Sequence, residues 1–378
     1  MVAKAPIKLH DTTDKLWSHP QWVRRSALIN QLNARMHKKF TLISAMAGAG
    51  KSTITRQWLA NQRTRVVWVL LDAKDNQLQH LVWHIADCIR TIVPSACPIT
   101  HANLNASKPP SKESLIANLK NELLQIDDEW VLVLDDYEVI ESDDGHDVLR
   151  LLTEVAYGHP KLRNLVVLTR TDPPLPIGNL RVRDQISELN AIDLQFSLQE
   201  TQQLIAKNLT GSLALSAKDI ALLHNRTEGW VAGLRLYQVS LASHPIPPNQ
   251  FLPLISGNHR IIRDYLFEQV FGQRSPQLQR WLMASALLNR FNADLCDAMF
   301  DRTDNHSHEI ITYLEQANLF LMPLDYEGRW YRYHNLVRDF LRHGLLQMPV
   351  KCRLGDDPPF GRLVYEMLQS AIRRRLHS

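Results

Sequence analysis

Phe40-Thr-Leu-Ile-Ser-Ala-Met-Ala-Gly-Ala-Gly-Lys-Ser52 is the stretch that decides the fold. Its first five residues, FTLIS, have the β-forming and mostly apolar character of a short buried strand. Residues 45–50 are nearly all small. Residues 51–61 then read as a helix, with Ile54 and Trp58 four apart on one face. A strand that passes through small residues into a helix lets backbone N–H groups turn inward around phosphate oxygens. Lys51 supplies the cation that bridges outer phosphates, and the Ser52 hydroxyl a ligand for Mg²⁺. Gly48 and Gly50 permit the tight approach. The pattern GxxxxGK[ST] is broken at one place, where Ala45 stands for the first glycine.

Working outward, residues 66–71 (VVWVLL), 130–134 (WVLVL) and 165–168 (LVVL) are further continuous apolar runs. Leu78, Leu81, Val82, Ile85, Cys88, Ile89 and Ile92 recur at helical spacing, as do Leu115, Leu119, Leu123 and Ile126. Residues 95–111 hold Pro98, Pro109 and Pro110 and read as a loop. Continuous apolar strands separated by helices predict a parallel sheet covered on both faces, a three-layer α/β unit. Two strand ends carry chemistry. Asp135 follows the third run and is placed to hold Mg²⁺, through a water, opposite the phosphate loop. Asp136 is placed to orient or deprotonate an attacking water. Arg170 follows the fourth run and is expected to sense a γ-phosphate through a charged contact.

The second half changes character. Ser197-Leu-Gln-Glu200 is a capping box that opens a helix, and helical patterns then dominate. Four prolines between His244 and Pro253 mark a boundary. Three helical patterns, a hairpin signal around Asp325-Tyr-Glu-Gly328 and a last helix predict a winged helix-turn-helix. The expected domains are 1–195, a nucleotide-binding α/β domain; 196–255, helical; 256–348, winged helix; and 349–378, a poorly ordered tail.

Composition narrows the function. The 378 residues carry 43 Lys+Arg against 39 Asp+Glu, a formal net charge of +4, with 45% hydrophobic and 22% charged residues. These are globular proportions, and so weak a charge does not suggest a nucleic-acid coat or membrane-surface protein. The four cysteines form no CxxC pair and no zinc spacing. No apolar leader and no run near membrane-spanning length is visible, so a cytoplasmic protein is expected.

These residues together resemble the signal-transduction ATPases of the STAND class, and more narrowly the nucleotide-binding region of MalT-type, LuxR-family transcriptional activators. Val23-Arg-Arg-Ser-Ala-Leu-Ile-Asn-Gln-Leu32 is similar to the family's adenine-side segment, with Arg25 on its arginine. Trp68-Val-Leu-Leu-Asp72 with Asp75-Asn76 resembles its second strand and acidic turn, and Leu134-Asp-Asp-Tyr137 its Walker B wording. Asn179-Leu-Arg-Val-Arg-Asp-Gln185, Glu228-Gly-Trp230, and Tyr333-His334 with Phe340-Leu-Arg342 extend the likeness over residues 7–345. Glu138 departs from it, standing where the family usually has a histidine.

The resemblance implies ATP or ADP with Mg²⁺ as cofactors. Nucleotide contacts are expected from Arg25, Ala47, Gly48, Ala49, Gly50, Lys51, Ser52, Thr53 and His334, the last reaching the β-phosphate. Ser52 and Asp135 are the expected metal ligands, Asp136 and Arg170 the catalytic residues. It also implies an ADP-bound closed form, an ATP-bound form that self-associates, a sensor or inhibitory protein partner, no membrane partner and at most weak ATP hydrolysis. The family continues into a helical-repeat sensor and a helix-turn-helix DNA-binding domain, neither of which resembles anything after Pro349, so DNA contact is not expected from this chain. Two further readings stand beside the switch: an NTPase or kinase with steady turnover, and DNA binding by the winged helix through Arg329, Arg332, Arg338 and Arg342.

Overall fold

The computed structural model describes residues 19–60, 62, 64–104, 110–209, 215–242, 256–300 and 304–347. The expected tail, 349–378, lies outside them. Contacts divide the chain into two units, Met1–Ala45 with Ala49–Leu194, and Met46–Gly48 with Gln195–Ser378.

In the first unit α1 (Ser26–Ala34) precedes β1 (Phe40–Ser44), α2 (Lys51–Leu59), β2 (Arg65–Leu70), α3 (Leu78–Arg90) and α4 (Pro98–Leu104). Then follow α5 (Lys112–Leu123), β3 (Trp130–Asp135), α6 (Asp143–Gly158), β4 (Leu162–Thr169), α7 (Ile177–Val182), β5 (Ile186–Leu189) and α8 (Ala191–Leu194). The strands form one sheet in the order β2-β3-β4-β1-β5, and every pairing is parallel. Every residue of β1 and β3 is buried. Because successive strand side chains point to opposite faces, helices must cover both faces, as the unbroken apolar runs predict. The core joins β1–β4 to the apolar stripes of α3, α5 and α6.

Two parts of this unit depart from the sequence reading. Residues 95–111 are not all loop, because α4 begins at Pro98. Proline is tolerated in a first helical turn, where its missing N–H has no intrahelical acceptor anyway. The buried Glu122 carboxylate caps that end, accepting from Ile99 N at 2.6 Å, Thr100 N at 3.0 Å and Thr100 Oγ1 at 2.5 Å. The other departure is β5, a fifth strand beside β1, too short for its alternation to stand out.

The second unit begins with α9 (Leu198–Asn208), α10 (Ala217–Thr227) and α11 (Val231–Ala242). Ser197 and Glu200 form the expected capping box. Helices at Arg260–Leu266, Pro276–Ser285, Ala293–Met299 and His306–Gln316 then lead to an antiparallel hairpin, β6 (Leu321–Pro323) with β7 (Tyr331–Tyr333). A final helix runs over Asn335–Gln347. Helices followed by a two-stranded wing and a closing helix are the winged-helix order that the sequence predicts. Among the described residues no helix is long and apolar enough to cross a membrane.

Candidate nucleotide site

In the first unit, β2, β3, β4 and β1 bring their carboxyl ends side by side, with Ser44 of β1 opposite Thr169 of β4 and Leu70 of β2 opposite Asp135 of β3. Ligands of open parallel sheets gather at this edge. The loop after β1 turns into α2 through Gly50, whose φ of +94° lies in the left-handed region that glycine enters without strain. The first intrahelical bond runs from Ile54 N to Gly50 O. The N–H groups of Lys51, Ser52 and Thr53 therefore have no acceptor within α2 and form the positive end of the helix dipole.

Lys51 is buried, and its Nζ folds back to donate to Ala45 O at 2.7 Å. Burial lowers its pKa, opposed by the negative charges of Glu138, Asp136 and Asp135. Ser52 Oγ donates to Asp135 Oδ1 at 3.0 Å. Asp135 is itself buried, and burial with the neighbouring Asp136 charge pushes its carboxyl up to about 6. Its further hydrogen-bond donor is the Asp136 N–H, at 3.1 Å. A hydroxyl and a carboxylate oxygen in contact form a hard oxygen pair suited to Mg²⁺. Asp136 takes a left-handed φ of +60° at the strand tip, a conformation that costs a non-glycine residue about 1 kcal/mol or more.

Arg170 is tied down. Its Nε meets Glu138 Oε1 at 2.7 Å, and its backbone N–H donates to Glu138 Oε2 at 3.2 Å. Glu138, marked in the sequence only as a departure from the family's histidine, thus links the exits of β3 and β4. Asn76, named in the sequence only as part of the acidic turn, is a second residue that shapes this edge. Its Nδ2 donates to Val139 O at 2.7 Å, and its Oδ1 accepts from Glu141 N at 2.7 Å and Ser142 N at 3.0 Å. It clips the chain just after the Asp135 tip. Arg25 is buried and donates to Leu194 O at 2.7 Å, while Gln57 Oε1 accepts from its backbone N–H at 3.1 Å. Its guanidinium thus binds the end of α8.

Met46–Gly48 group with the second unit. There Trp230 Nε1 donates to Ala47 O, and Ala232 N to Gly48 O, each at 3.1 Å. Gly48 has φ +70°, and a Cβ on it would stand 2.3 Å from Ala232 Cβ, so no larger residue fits. His334 is fully buried in this unit. Its Nε2 lies 2.8 Å from Thr227 O, and its Nδ1 accepts from Leu336 N at 3.3 Å. Its ring packs edge-on against Trp230 and Phe320. Both nitrogens are engaged inside the unit, so a phosphate contact from Nε2 requires release of Thr227 O. Burial lowers its pKa, which keeps it neutral.

The arginines around the wing are engaged as well. Arg332 clasps Glu228 through two bonds at 2.9 and 2.8 Å. Arg342 donates to Ala286 O at 2.6 Å and Leu287 O at 2.9 Å. Arg338 donates to Asn335 Oδ1, and Arg329 pairs with Glu327. Arg332 and Arg342 thus hold parts of this unit together, while the Arg329–Glu327 pair lies exposed.

Comparison with known proteins agrees with this architecture. Residues 267–351 match the family profile of the MalT winged helix domain. The HTH-type transcriptional regulator MalT of Yersinia enterocolitica is 31% identical over 340 residues, 89% of this chain and 35% of that protein. The MalT of Klebsiella pneumoniae is 31% identical over 323 residues, 85% of this chain and 35% of that protein. The chain thus spans about a third of the length of the curated relatives it matches. A Walker-type ATPase of Pyrococcus abyssi shares the fold, with a TM-score of 0.52 at 16% identity, over 86% of this chain and 99% of that one. A parallel α/β unit with a phosphate-loop sequence, the match of residues 267–351 to the MalT winged helix domain, and similarity to MalT over most of its length thus make this chain similar to about a third of the MalT-type transcriptional regulators.

Proposed function

We propose that the chain is the nucleotide-binding switch module of a MalT-like transcriptional regulator, with ADP in a resting form and ATP in a form that self-associates. The observation that carries this reading is the contact of Ser52 Oγ with Asp135 Oδ1 beside Lys51 at the mouth of α2. That geometry supports one phosphate and cation site. Bound there, Mg²⁺ would neutralise phosphate charge and orient the β- and γ-phosphate oxygens. Ser52 and Asp135 hold it, while Lys51 leaves Ala45 O to meet the phosphates. The amides of Ala47, Gly48, Ala49, Gly50 and Thr53 cradle oxygens, and Arg25 flanks the base.

Hydrolysis is slow in this reading and resets the switch. Asp136 orients the water, and Arg170 must exchange Glu138 for the γ-phosphate, which costs a charge-assisted pair. Likewise His334 exchanges Thr227 O for the β-phosphate in the ADP form. Only a difference in affinity between two forms can drive such a switch. A sensor or inhibitory partner and a cytoplasmic site of action belong to the same reading.

The test is to purify the chain without added nucleotide, denature it and identify what is released. Near-stoichiometric ADP with negligible steady-state turnover is the expected result. Sustained rapid turnover sinks the switch, and absence of any nucleotide affinity, with or without Mg²⁺, sinks the site.

A further inference from the structure

We propose a second metal site, independent of the nucleotide reading, in which Asp75, His80 and His84 bind Zn²⁺. The three residues come together at the corner where the chain leaves β2 and enters α3. His80 and His84 are one helical turn apart, so both imidazoles project from the same face of α3. Asp75 lies in the preceding turn, which is closed by a capping box. There Asp72 accepts from Lys74 N, and Asp72 N donates to Asp75 Oδ2 at 2.8 Å. This fixes the carboxylate and turns its other oxygen, Oδ1, towards the helix. His80 Nδ1 lies 2.8 Å from Oδ1 and His84 Nδ1 3.1 Å from it. The donor atoms of all three lie within 4.8 Å of one another.

Those separations are a few tenths of an ångström shorter than one ion imposes, since tetrahedral zinc bonds of about 2.0–2.2 Å to imidazole nitrogen and carboxylate oxygen place neighbouring ligand atoms about 3.3–3.6 Å apart, so the imidazoles move back slightly from the carboxylate on binding. Two nitrogens and one oxygen favour zinc and the later first-row metals over Mg²⁺ or Ca²⁺, which take all-oxygen shells. Three protein ligands leave a coordination position open for water or another ligand. Access exists, because the His80 side chain is 32% exposed and that of His84 18%, while Asp75 is 0% exposed and locked beneath them. The capping box holds the carboxylate in place, and His80 is the more exposed of the two imidazoles. Without metal the same atoms satisfy one another as hydrogen bonds, so zinc replaces these imidazole–carboxylate contacts with three bonds, and each Nδ1 proton leaves to solvent or moves to Nε2.

The experiment titrates Zn²⁺ into the whole, untagged 378-residue chain against a chromogenic zinc chelator, with no nucleotide present. One equivalent should bind with a dissociation constant on the order of a micromolar or tighter. The double variant His80→Gln/His84→Gln should lose at least tenfold in affinity, and the exposed control His308→Gln should lose none. Circular dichroism checks that the double variant is folded. Should it not fold, carbethoxylation of the wild type mapped by mass spectrometry decides, since zinc should protect His80 and His84 selectively. The proposal is overturned by wild-type affinity weaker than about 0.1 mM, by equal affinity in the folded double variant, or by protection that spares these two residues.

Discussion

Asp135, at the end of β3, and Asp75, in the turn after β2, are both buried carboxylates of the first unit, and their surroundings drive them in opposite directions. Around Asp135 burial and the Asp136 charge outweigh the Ser52 hydroxyl and the charges of Arg56 and Lys51, so the carboxyl rises to about 6. Around Asp75 burial pushes the same way, but His84, the Asp72 N–H and His80 outweigh it and hold the carboxyl below its usual range. Burial alone therefore does not set the charge of a carboxylate; the donors that meet it do. Asp75 is compensated by the protein itself and serves as an anchor. Asp135 is less compensated, which costs stability.

The harshest way to break this contrast is Asp75→Ala. It removes the acceptor for two imidazoles and one backbone N–H, and should cost about 2–4 kcal/mol in urea unfolding of the nucleotide-free chain. A loss under about 0.5 kcal/mol, the range of an ordinary surface substitution, would mean that the histidines and the turn do not depend on the carboxylate. Asp135→Asn should do the reverse. Its carboxyl titrates about two units above the ordinary value of 3.8, so relief of the buried charge should stabilise the nucleotide-free chain by up to about 3 kcal/mol at pH 7. The folded pKa is raised, so the gain appears as pH rises through about 6 and is absent below about pH 4. Thermal melts at pH 4 and pH 7 measure it, and a destabilised variant at pH 7 would mean that Asp135 is compensated by groups other than Ser52.

A milder test bears on the cation beside Asp135. Lys51→Ala should weaken ADP binding about tenfold or more, since one charge-assisted hydrogen bond contributes about 1.5–3 kcal/mol. Unchanged affinity in a fluorescent-nucleotide titration would remove Lys51 from the site. The smallest effect is expected in the second unit, at His334. Its folded pKa is depressed by burial, so its stabilisation is present above the unfolded value of about 6.5 and is lost as pH falls below it. His334→Gln keeps a donor for Thr227 O but does not titrate. The melting temperature of the wild type should therefore fall relative to this variant by a few degrees between pH 7.5 and pH 5. Parallel pH profiles would show that His334 titrates as an exposed histidine does.

How legible these features are in the sequence follows from their range. The β1–loop–α2 passage is plain because phosphate chemistry restricts residue type at each of a few adjacent positions. Unbroken apolar strands announce a sheet covered on both faces for the same local reason. Residues 98–104 are lost to a proline that marks a helix start as readily as a break, and their cap, Glu122, comes from another helix. The grip of Glu138 on Arg170 joins positions 32 residues apart, which no local pattern expresses. His80 and His84 are hidden differently. They sit among the apolar positions of an amphipathic helix, and only the turn that aims Asp75 at them makes them a set.

The position of β1 in the sheet also bears on how the protein is made. Phe40 pairs with Leu165 on one side and Ile186 on the other, so β1 has no neighbour until most of the first unit has left the ribosome. By then β2, β3 and β4 can already stand side by side, since β3 pairs with both of the others. Closure of these distant pairings is slow compared with local helix formation. The Lys51 loop is thus assembled last although it is synthesised early, and a nascent chain sets the geometry of that loop only when the first unit is all but complete.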